Sequence, residues 1–315
     1  MTRILVTGGA GYIGSTATAI LADRGHEVVV FDDLSMGHAD AVDPQATFIQ
    51  GSLLDVDALR NALVGCQAVI HFAGKSLVGE SVLNPELYHH VNVDGTRNLL
   101  DAMAIHGIDR LVFSSSAATY GQPLDNPITE VSLAEPTNPY GASKLAIDQM
   151  ISASGMSAIS LRYFNVAGAY ESKNGWLAER HKPETHLIPL VLRATDENPL
   201  KIFGTDWNTK DGTCIRDYVH VVDLIEAHIL ALAALKPHIH EIVNLGSGGG
   251  YSVREVISEA SKVLGRVVPT IESPRRAGDP ASLVASIAKA KTLLGWEPTR
   301  DLASMISDAI KSQAQ

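Results

Sequence analysis

Ser116, Tyr140 and Lys144 are residues of the right types and spacing to move a proton on and off an alcohol oxygen. Tyr140 and Lys144 stand four apart in NPYGASK, and Ser116 closes the run LVFSSS. With Pro139 in the first turn of a helix, the phenol and the ammonium lie one turn apart on a single face. A phenol titrates near pH ~10, so it becomes a useful base at neutral pH only where a cation favours its anion. Lys144 would supply that cation, and Ser116 would donate to the reacting oxygen and share the proton path. A tyrosine and a lysine four apart are common in helices, so the chemistry depends on what surrounds them.

The start of the chain supplies that context. VTGGAGYIGS places Gly8, Gly11 and Gly14 at a strict interval of three. A strand, a glycine turn and a helix in that order let backbone N–H groups at the helix N-terminus approach a pyrophosphate with no Cβ in the way. A glycine turn that merely joins strand to helix would look the same. Asp32 separates the two cases: it ends the next strand 18 residues after Gly14 (32 − 14 = 18), where a carboxylate accepts hydrogen bonds from an adenosine ribose diol. The same carboxylate repels a 2′-phosphate, and no Arg or Lys follows it closely. NAD is therefore the expected dinucleotide, rather than NADP.

These residues need a rigid frame. RILVTGG, HEVVVFDD, ATFIQG, QAVIHFAG, DRLVFSSS and SAISLRYFN read as short apolar strands, with helical stretches such as STATAILADRG between several of them. Strands that do not alternate in polarity, separated by helices, predict a parallel sheet buried on both faces. The expectation is an α/β fold: a doubly wound, Rossmann-like NAD-binding domain over residues 1–166, with a smaller α/β substrate-binding domain over 167–315. HEIVNLGSG reads as a strand returning to the first sheet, so residues 217–246 would rejoin it. AYESKNGWLAERHKPETHLIPL reads as a loop or lid before a helix around Ile188 to Thr195, and DYVHVVDLIEAHILALAAL as a helix. Ser252 and Glu255 have capping-box spacing.

Composition sets the outer limits. The chain has 315 residues, 45% of them hydrophobic, enough for a large core. A formal charge of −10 disfavours a nucleic-acid or acidic-membrane surface. The two cysteines, Cys66 and Cys214, read as reduced buried thiols, and with no secretory or membrane-spanning segment the expected location is cytoplasmic. Twelve histidines invite a metal, but neither H-E-x-x-H nor paired C-x-x-C occurs. No metal is expected, and His89, His90, His238 and His240 are read as facing solvent or bonding to backbone.

Beyond the shared nucleotide loop, the chain carries HFAG, VGES, VNVDGT, FSSSAATYG, LRYFNVAGA, THLIPL, DGTCIRDYVHVVDL, VNLGSG and RRAGDP. On these blocks it resembles the extended short-chain dehydrogenase/reductases and, within them, the UDP-sugar 4-epimerases. The resemblance covers essentially the whole chain. It implies NAD-dependent interconversion of UDP-galactose and UDP-glucose through a 4-keto intermediate, with no net redox change, in a homodimer.

The tyrosine matching Tyr140 would take the C4 hydroxyl proton, Ser116 would assist, and Lys144 would tune the tyrosine and hold the nicotinamide ribose. Cofactor contacts implied by the same match are Gly8, Gly11, Tyr12, Ile13, Gly14, Asp32, Asp33, Ser52, Leu53, Phe72, Ala73, Gly74, Ser76, Asn92, Ser114 and Tyr163. Arg216 and Arg276 match diphosphate arginines, Asp279 a ribose carboxylate and Phe203 the residue beside uracil. Asn165, His186, Leu187, Lys201, Tyr218, Val253 and Leu283 match further substrate positions.

Several positions depart from the pattern. Ser52 stands where a relative often has aspartate near the adenine, Lys75 precedes the position at which some relatives carry a lysine, and His186 replaces an asparagine. Leu283 occupies a position where a bulky tyrosine restricts some pockets, which leaves N-acetylhexosamines open. A 4,6-dehydratase would need an Asp-Glu pair beside the serine, and SSSAATYG has no carboxylate. A uronic-acid epimerase and a non-catalytic dinucleotide sensor are the remaining rivals, and the sensor is disfavoured because Tyr140 and Lys144 are both present.

Overall fold

Short β-branched runs and the helices between most of them fill the first half: Arg3–Thr7 (β1), Tyr12–Asp23 (α1), Glu27–Asp32 (β2), Thr47–Gln50 (β3), Val56–Leu63 (α2) and Ala68–His71 (β4). Val78–Leu83 (α3), Pro85–Tyr88 (α4), Gly95–Ile105 (α5), Arg110–Ser116 (β5), Pro139–Ser154 (α6) and Ser157–Tyr163 (β6) follow. The second half adds Asn165–Ala167 (β7), Tyr170–Ser172 (β8), Gly175–Leu177 (β9), Leu187–Arg193 (α7), Leu200–Phe203 (β10), Ile215–Arg216 (β11), Tyr218–His220 (β12) and Val221–Ala234 (α8). It closes with His240–Leu245 (β13), Tyr251–Ser252 (β14), Val253–Leu264 (α9), Thr270–Ser273 (β15), Ser282–Leu283 (β16) and Leu302–Gln313 (α10). The computed structural model describes residues 1–123, 125–276 and 279–313. Ala277 and Gly278 of RRAGDP lie outside that range.

Seven strands form one sheet in the order β13-β6-β5-β4-β1-β2-β3, and every neighbouring pair is parallel. Successive side chains of a strand point to opposite faces, and here both faces are covered. Leu5 and Phe31 pack with Leu59, Met103 and Ile151 on one face, while Ile4 and Val6 pack with Leu21, Leu224 and Ala231 on the other. Each such buried side chain contributes roughly 1.5–3 kcal/mol. The strand order reverses between β1 and β4, so the crevice at their carboxyl ends is where a doubly wound sheet binds its ligand. The returning strand is β13, which pairs with β6 from His240↔Ala158 to Leu245↔Tyr163.

A smaller core lies over that crevice, where α7, α9 and α10 enclose Val191, Val256, Met305 and Ile306. The capping box forms: Ser252 Oγ accepts from Glu255 N at 3.1 Å, and Glu255 Oε2 accepts from Ser252 N at 2.8 Å. The helix read from Asp217 begins later, at Val221. Tyr218–His220 instead pairs in parallel with Asn165–Ala167, and the His220 ring accepts from Val222 N at 3.1 Å to cap α8. The β-branched stretch can serve as strand or helix, and the free edge of β7 decides for strand. The segment read as a loop contains the β8–β9 hairpin. His240 departs from its reading too, since its ring lies between Ser152 Oγ and Ser160 Oγ at 2.6 and 2.8 Å. Cys66 and Cys214 are buried and unpaired. No helix among the described residues is long and apolar enough to cross a membrane.

Candidate active site

The glycines at the head of α1 do different work. A Cβ on Gly14 would stand 2.1 Å from the Gly8 carbonyl oxygen, so this glycine is required by the contact between loop and helix. A Cβ on Gly11 would meet nothing nearer than 3.4 Å, an ordinary contact. The fold itself does not need a glycine there. Gly11 caps α1 without a side-chain hydrogen bond, and the missing Cβ leaves the helix N-terminus open to an anionic group. Asp32 faces the same space: Oδ2 accepts from Ala10 N at 3.0 Å and Oδ1 from Leu34 N at 2.8 Å. Burial raises its pKa and these two backbone donors oppose the rise, and each oxygen keeps a lone pair for a ribose hydroxyl. These groups fit the pyrophosphate and adenosine ribose of NAD.

The crevice is a cleft of about 1160 Å³. Gly8, Gly11, Tyr12, Ile13, Gly14, Asp32, Asp33, Ser52, Leu53, Phe72, Ala73, Gly74 and Ser76 line its β1–β4 half. Ser116, Tyr140, Lys144, Tyr163, Asn165, His186, Arg216, Asp279 and Leu283 line the rest. Tyr12 ties the two halves together, its hydroxyl donating to the Gly168 carbonyl at 2.6 Å.

Ser116 ends β5 and Tyr140 opens α6, so their relation depends on how that helix begins. Asn138 caps it, its Oδ1 accepting from Gly141 N at 2.9 Å, and Pro139 occupies the first turn. A Cβ on Gly141 would lie 2.3 Å from the Ala118 carbonyl oxygen, so only glycine lets α6 touch the turn that follows Ser116. That contact sets the phenol beside the serine. Burial raises the Tyr140 pKa and a hydrogen bond with Ser116 lowers it, with burial the larger. The phenol is therefore protonated at neutral pH in the protein alone. Lys144 lies 5.9 Å from the Tyr140 ring centroid and 4.7 Å from that of Phe113. Burial brings its pKa down to about 8, against the pull of Asp148.

Two expected cofactor contacts act from behind the wall. Asn92 is buried and engaged with protein: Oδ1 accepts from Lys75 N at 2.7 Å, and Nδ2 donates to Lys75 O and to Ser143 Oγ, both at 3.0 Å. It clamps the turn after β4 to α6. Ser114 joins a buried chain that proton counting orients. His228 Nδ1 donates to Leu224 O at 2.8 Å, so Nε2 accepts from Ser114 Oγ at 3.2 Å, and Ser114 Oγ in turn accepts from Tyr163 at 2.9 Å. This chain fixes the Tyr163 ring at the cleft.

On the far side Arg216 Nη1 donates to the Ile215 and Pro280 carbonyls at 2.9 Å, while Nη2 stands 3.6 Å from Asp279. Leu283 is its register partner in β16. Leu187, Lys201, Phe203, Tyr218, Val253 and Arg276 do not form the wall of the cleft. Tyr218 is buried in the smaller core against Tyr251, at 6.3 Å between ring centroids, because its strand faces α9 and α10. Lys201 is exposed on β10, and Arg276 stacks over the Phe203 ring at 3.9 Å, so the two form a pair of their own. The sequence reading passed over Asp217. This buried carboxylate accepts from the backbone N–H of Tyr218, Ser247, Gly248 and Ala285 and from Ser247 Oγ. It fixes the strand end that carries Arg216, and its only mark in the sequence is an acid next to that arginine.

The NAD dependent epimerase/dehydratase family matches residues 4–246. A UDP-glucose 4-epimerase from Corynebacterium glutamicum is 50% identical over 314 residues, covering 98% of this chain and 94% of that protein. A crystal structure of a UDP-glucose 4-epimerase superposes with a TM-score of 0.94 at 45% identity, covering 99% of this chain and 98% of the other. A second, from Stenotrophomonas maltophila with bound NAD and formylated UDP-arabinopyranose, has a TM-score of 0.94 at 36% identity, covering 100% and 98%. The glycine loop, the Ser116, Tyr140 and Lys144 constellation and this likeness over the full length agree: the chain belongs to the NAD dependent epimerase/dehydratase family, among the UDP-glucose 4-epimerases.

Proposed function

We propose that the cleft interconverts UDP-galactose and UDP-glucose, with the region of residues 1–166 and 217–246 holding NAD and the remainder of 167–315 holding the UDP-sugar. NAD, which the glycine loop and Asp32 would hold, would supply a reversible hydride acceptor for C4, so no net oxidation would result. Tyr140 takes the C4 hydroxyl proton and gives it back. Ser116 hydrogen-bonds the reacting oxygen and steadies the phenol. Because burial holds the phenol protonated, added positive charge near it is what makes it a base. Lys144 and the oxidised nicotinamide provide that charge. Arg216 meets the diphosphate and Asp279 the uridine ribose, while Arg276 and Phe203 bind as the pair they already form. Inversion requires the 4-keto sugar to present its other face to the same cofactor.

The observation that carries this reading is that Ser116, Tyr140 and Lys144 line the same cleft whose other end is the glycine loop. The test is turnover of UDP-galactose with no NAD added, followed as UDP-glucose, with Tyr140→Phe beside it. Turnover that collapses in the variant supports the mechanism and a retained cofactor together. No turnover after NAD is supplied overturns it. Leu283 on the cleft wall leaves UDP-N-acetylhexosamines open as further substrates, and failure to convert UDP-N-acetylglucosamine at high enzyme concentration removes that extension. The assembly and location that accompany this reading are a cytoplasmic homodimer, the former checked by analytical ultracentrifugation.

A further inference from the structure

Glu179 and His181 have no part in the chemistry described above, and their side chains converge with that of His186 on the cleft wall. They belong to the segment AERHKPETH between β9 and α7, over the cleft. His181 Nδ1 lies 2.8 Å and His186 Nδ1 2.7 Å from the same Glu179 oxygen, Oε1. One ligating atom from each residue falls within 4.8 Å of the other two. Glu184 adjoins them, its Oε1 lying 3.0 Å from His186 Nδ1.

Protons alone serve this cluster badly. His186 Nδ1 carries one proton at most, yet carboxylate oxygens of Glu179 and Glu184 both lie within hydrogen-bond distance of it. Glu184 Oε1 already accepts from Thr185 N and His186 N at 2.8 Å, while its Oε2 is buried with no partner, on a side chain only 3% exposed. A divalent ion in place of the Nδ1 protons resolves both problems. It binds both imidazoles as neutral ligands, and its two charges balance the two carboxylates. Tetrahedral ligands about 2.0–2.2 Å from an ion stand about 3.3–3.6 Å apart; side-chain rotation brings the three converging atoms, now within 4.8 Å of one another, to that spacing, and Glu184 next to His186 turns in as the fourth. Two imidazole nitrogens with carboxylate oxygens suit a first-row transition ion, and above all Zn²⁺, better than Ca²⁺ or Mg²⁺.

We propose that Glu179, His181 and His186, with Glu184 in the fourth position, form a structural Zn²⁺ site that pins the segment between β9 and α7 across the cofactor cleft. The spacing is E-x-H-x4-H, with the second glutamate two residues before the second histidine. It matches neither motif on which the expectation of no metal was based. The neighbouring Arg180 fastens the same segment to the other lip, donating to both Asp40 oxygens at 2.8 and 3.0 Å.

The experiment uses the full chain without a histidine tag. The protein is dialysed against EDTA, freed of chelator, and titrated with ZnSO₄ in a calorimeter, with MgCl₂ as the hard-ion control. The expected result is one Zn²⁺ per chain with submicromolar affinity, no response to Mg²⁺, and a higher melting temperature on loading. His181→Ala and Glu179→Gln are each expected to weaken binding at least tenfold, and His181→Cys, which keeps a ligand, to restore it. Co²⁺ loading adds a readout of the site itself, because tetrahedral N/O coordination gives intense visible bands that octahedral surface binding lacks. No binding, or binding of equal affinity in wild type and in folded His181→Ala and Glu179→Gln proteins, overturns the proposal. Circular dichroism establishes the fold of each variant, and if one fails to fold, the Co²⁺ spectrum of wild type decides.

Discussion

Lys144 Nζ donates to the main-chain carbonyl of Ser114 at 2.8 Å. The ammonium of α6 is thereby anchored to the strand that also carries Ser116, so the distance from cation to phenol is fixed by sheet and helix together. Lys144→Met keeps the stem and removes the charge and the anchor. Turnover of UDP-galactose is expected to fall about 10²–10³-fold, and the acid limb of the kcat profile to move to higher pH, because the phenol loses a cation that favours its anion. A profile that falls in height without moving would show that Lys144 only holds the cofactor.

Gly11 and Gly14 should fail differently on substitution by alanine. Gly14→Ala drives a Cβ into the Gly8 carbonyl and is expected to lower the melting temperature severely or abolish soluble expression. Gly11→Ala meets only an ordinary contact, so the protein should fold and lose NAD. Circular dichroism together with the NAD content of the purified protein separates the two outcomes.

Gly141→Ala pushes α6 away from the turn after Ser116, since the new Cβ would start 2.3 Å from the Ala118 carbonyl. A displacement of even about 1 Å at the phenol costs on the order of 10² in rate. The expected signature is a lower kcat, with NAD content near that of wild type and a modest loss of melting temperature.

His71 and His228 make the fold sensitive to acid. Burial, reinforced for His71 by Lys144 and opposed for His228 by the bond to the Leu224 carbonyl, pulls their pKa values down to about 3 and about 4, so both rings are neutral in the folded protein. Their unfolded values are near 6.5. Between those limits the unfolded chain binds more protons, so the stability is fully present above pH ~6.5 and is lost as pH falls toward 4, at about 1.4 kcal/mol per pH unit for each ring. Chemical denaturation at pH 7.5, 6 and 5 checks this, and a stability independent of pH over that range would refute it.

Asp217→Asn replaces one oxygen of the five-bonded carboxylate with an amide group, leaving backbone donors that Asp217 now satisfies facing another donor. A loss of about 2–5 kcal/mol in stability is expected. Because the same carboxylate fixes the strand end beside Arg216, KM for the UDP-sugar should rise more than kcat falls.

The strands of the large sheet, the cofactor loop and the proximity of Ser116, Tyr140 and Lys144 in one cleft were legible because each rests on local chemistry. β1 to β6 are apolar runs too short for helices, and a glycine repeat after a strand or a proline before a Tyr-Lys pair has meaning within one turn. The boundary at Val221 was not legible, since YVHVV suits either state and the partner strand lies about fifty residues earlier. Nor could the sequence separate Arg216 and Asp279, on the wall of the cleft, from Tyr218, behind it. In strands only two or three residues long, which side faces the cleft depends on what packs against the other side.

By itself the sequence determined the sheet, the cofactor class and the candidates for acid–base chemistry, because backbone freedom, β-propensity and side-chain pKa are properties of residue types in short windows. Only the tertiary structure decided that Gly11 rather than Gly14 is left open for a ligand, that Asn92 and Ser114 support the cleft from behind, and that Glu179, His181 and His186 meet at one point. Each of those facts is a distance between atoms on different elements or across a folded loop. Such distances are fixed by packing and by the pairing of every buried polar group, which exist only once the whole chain has closed.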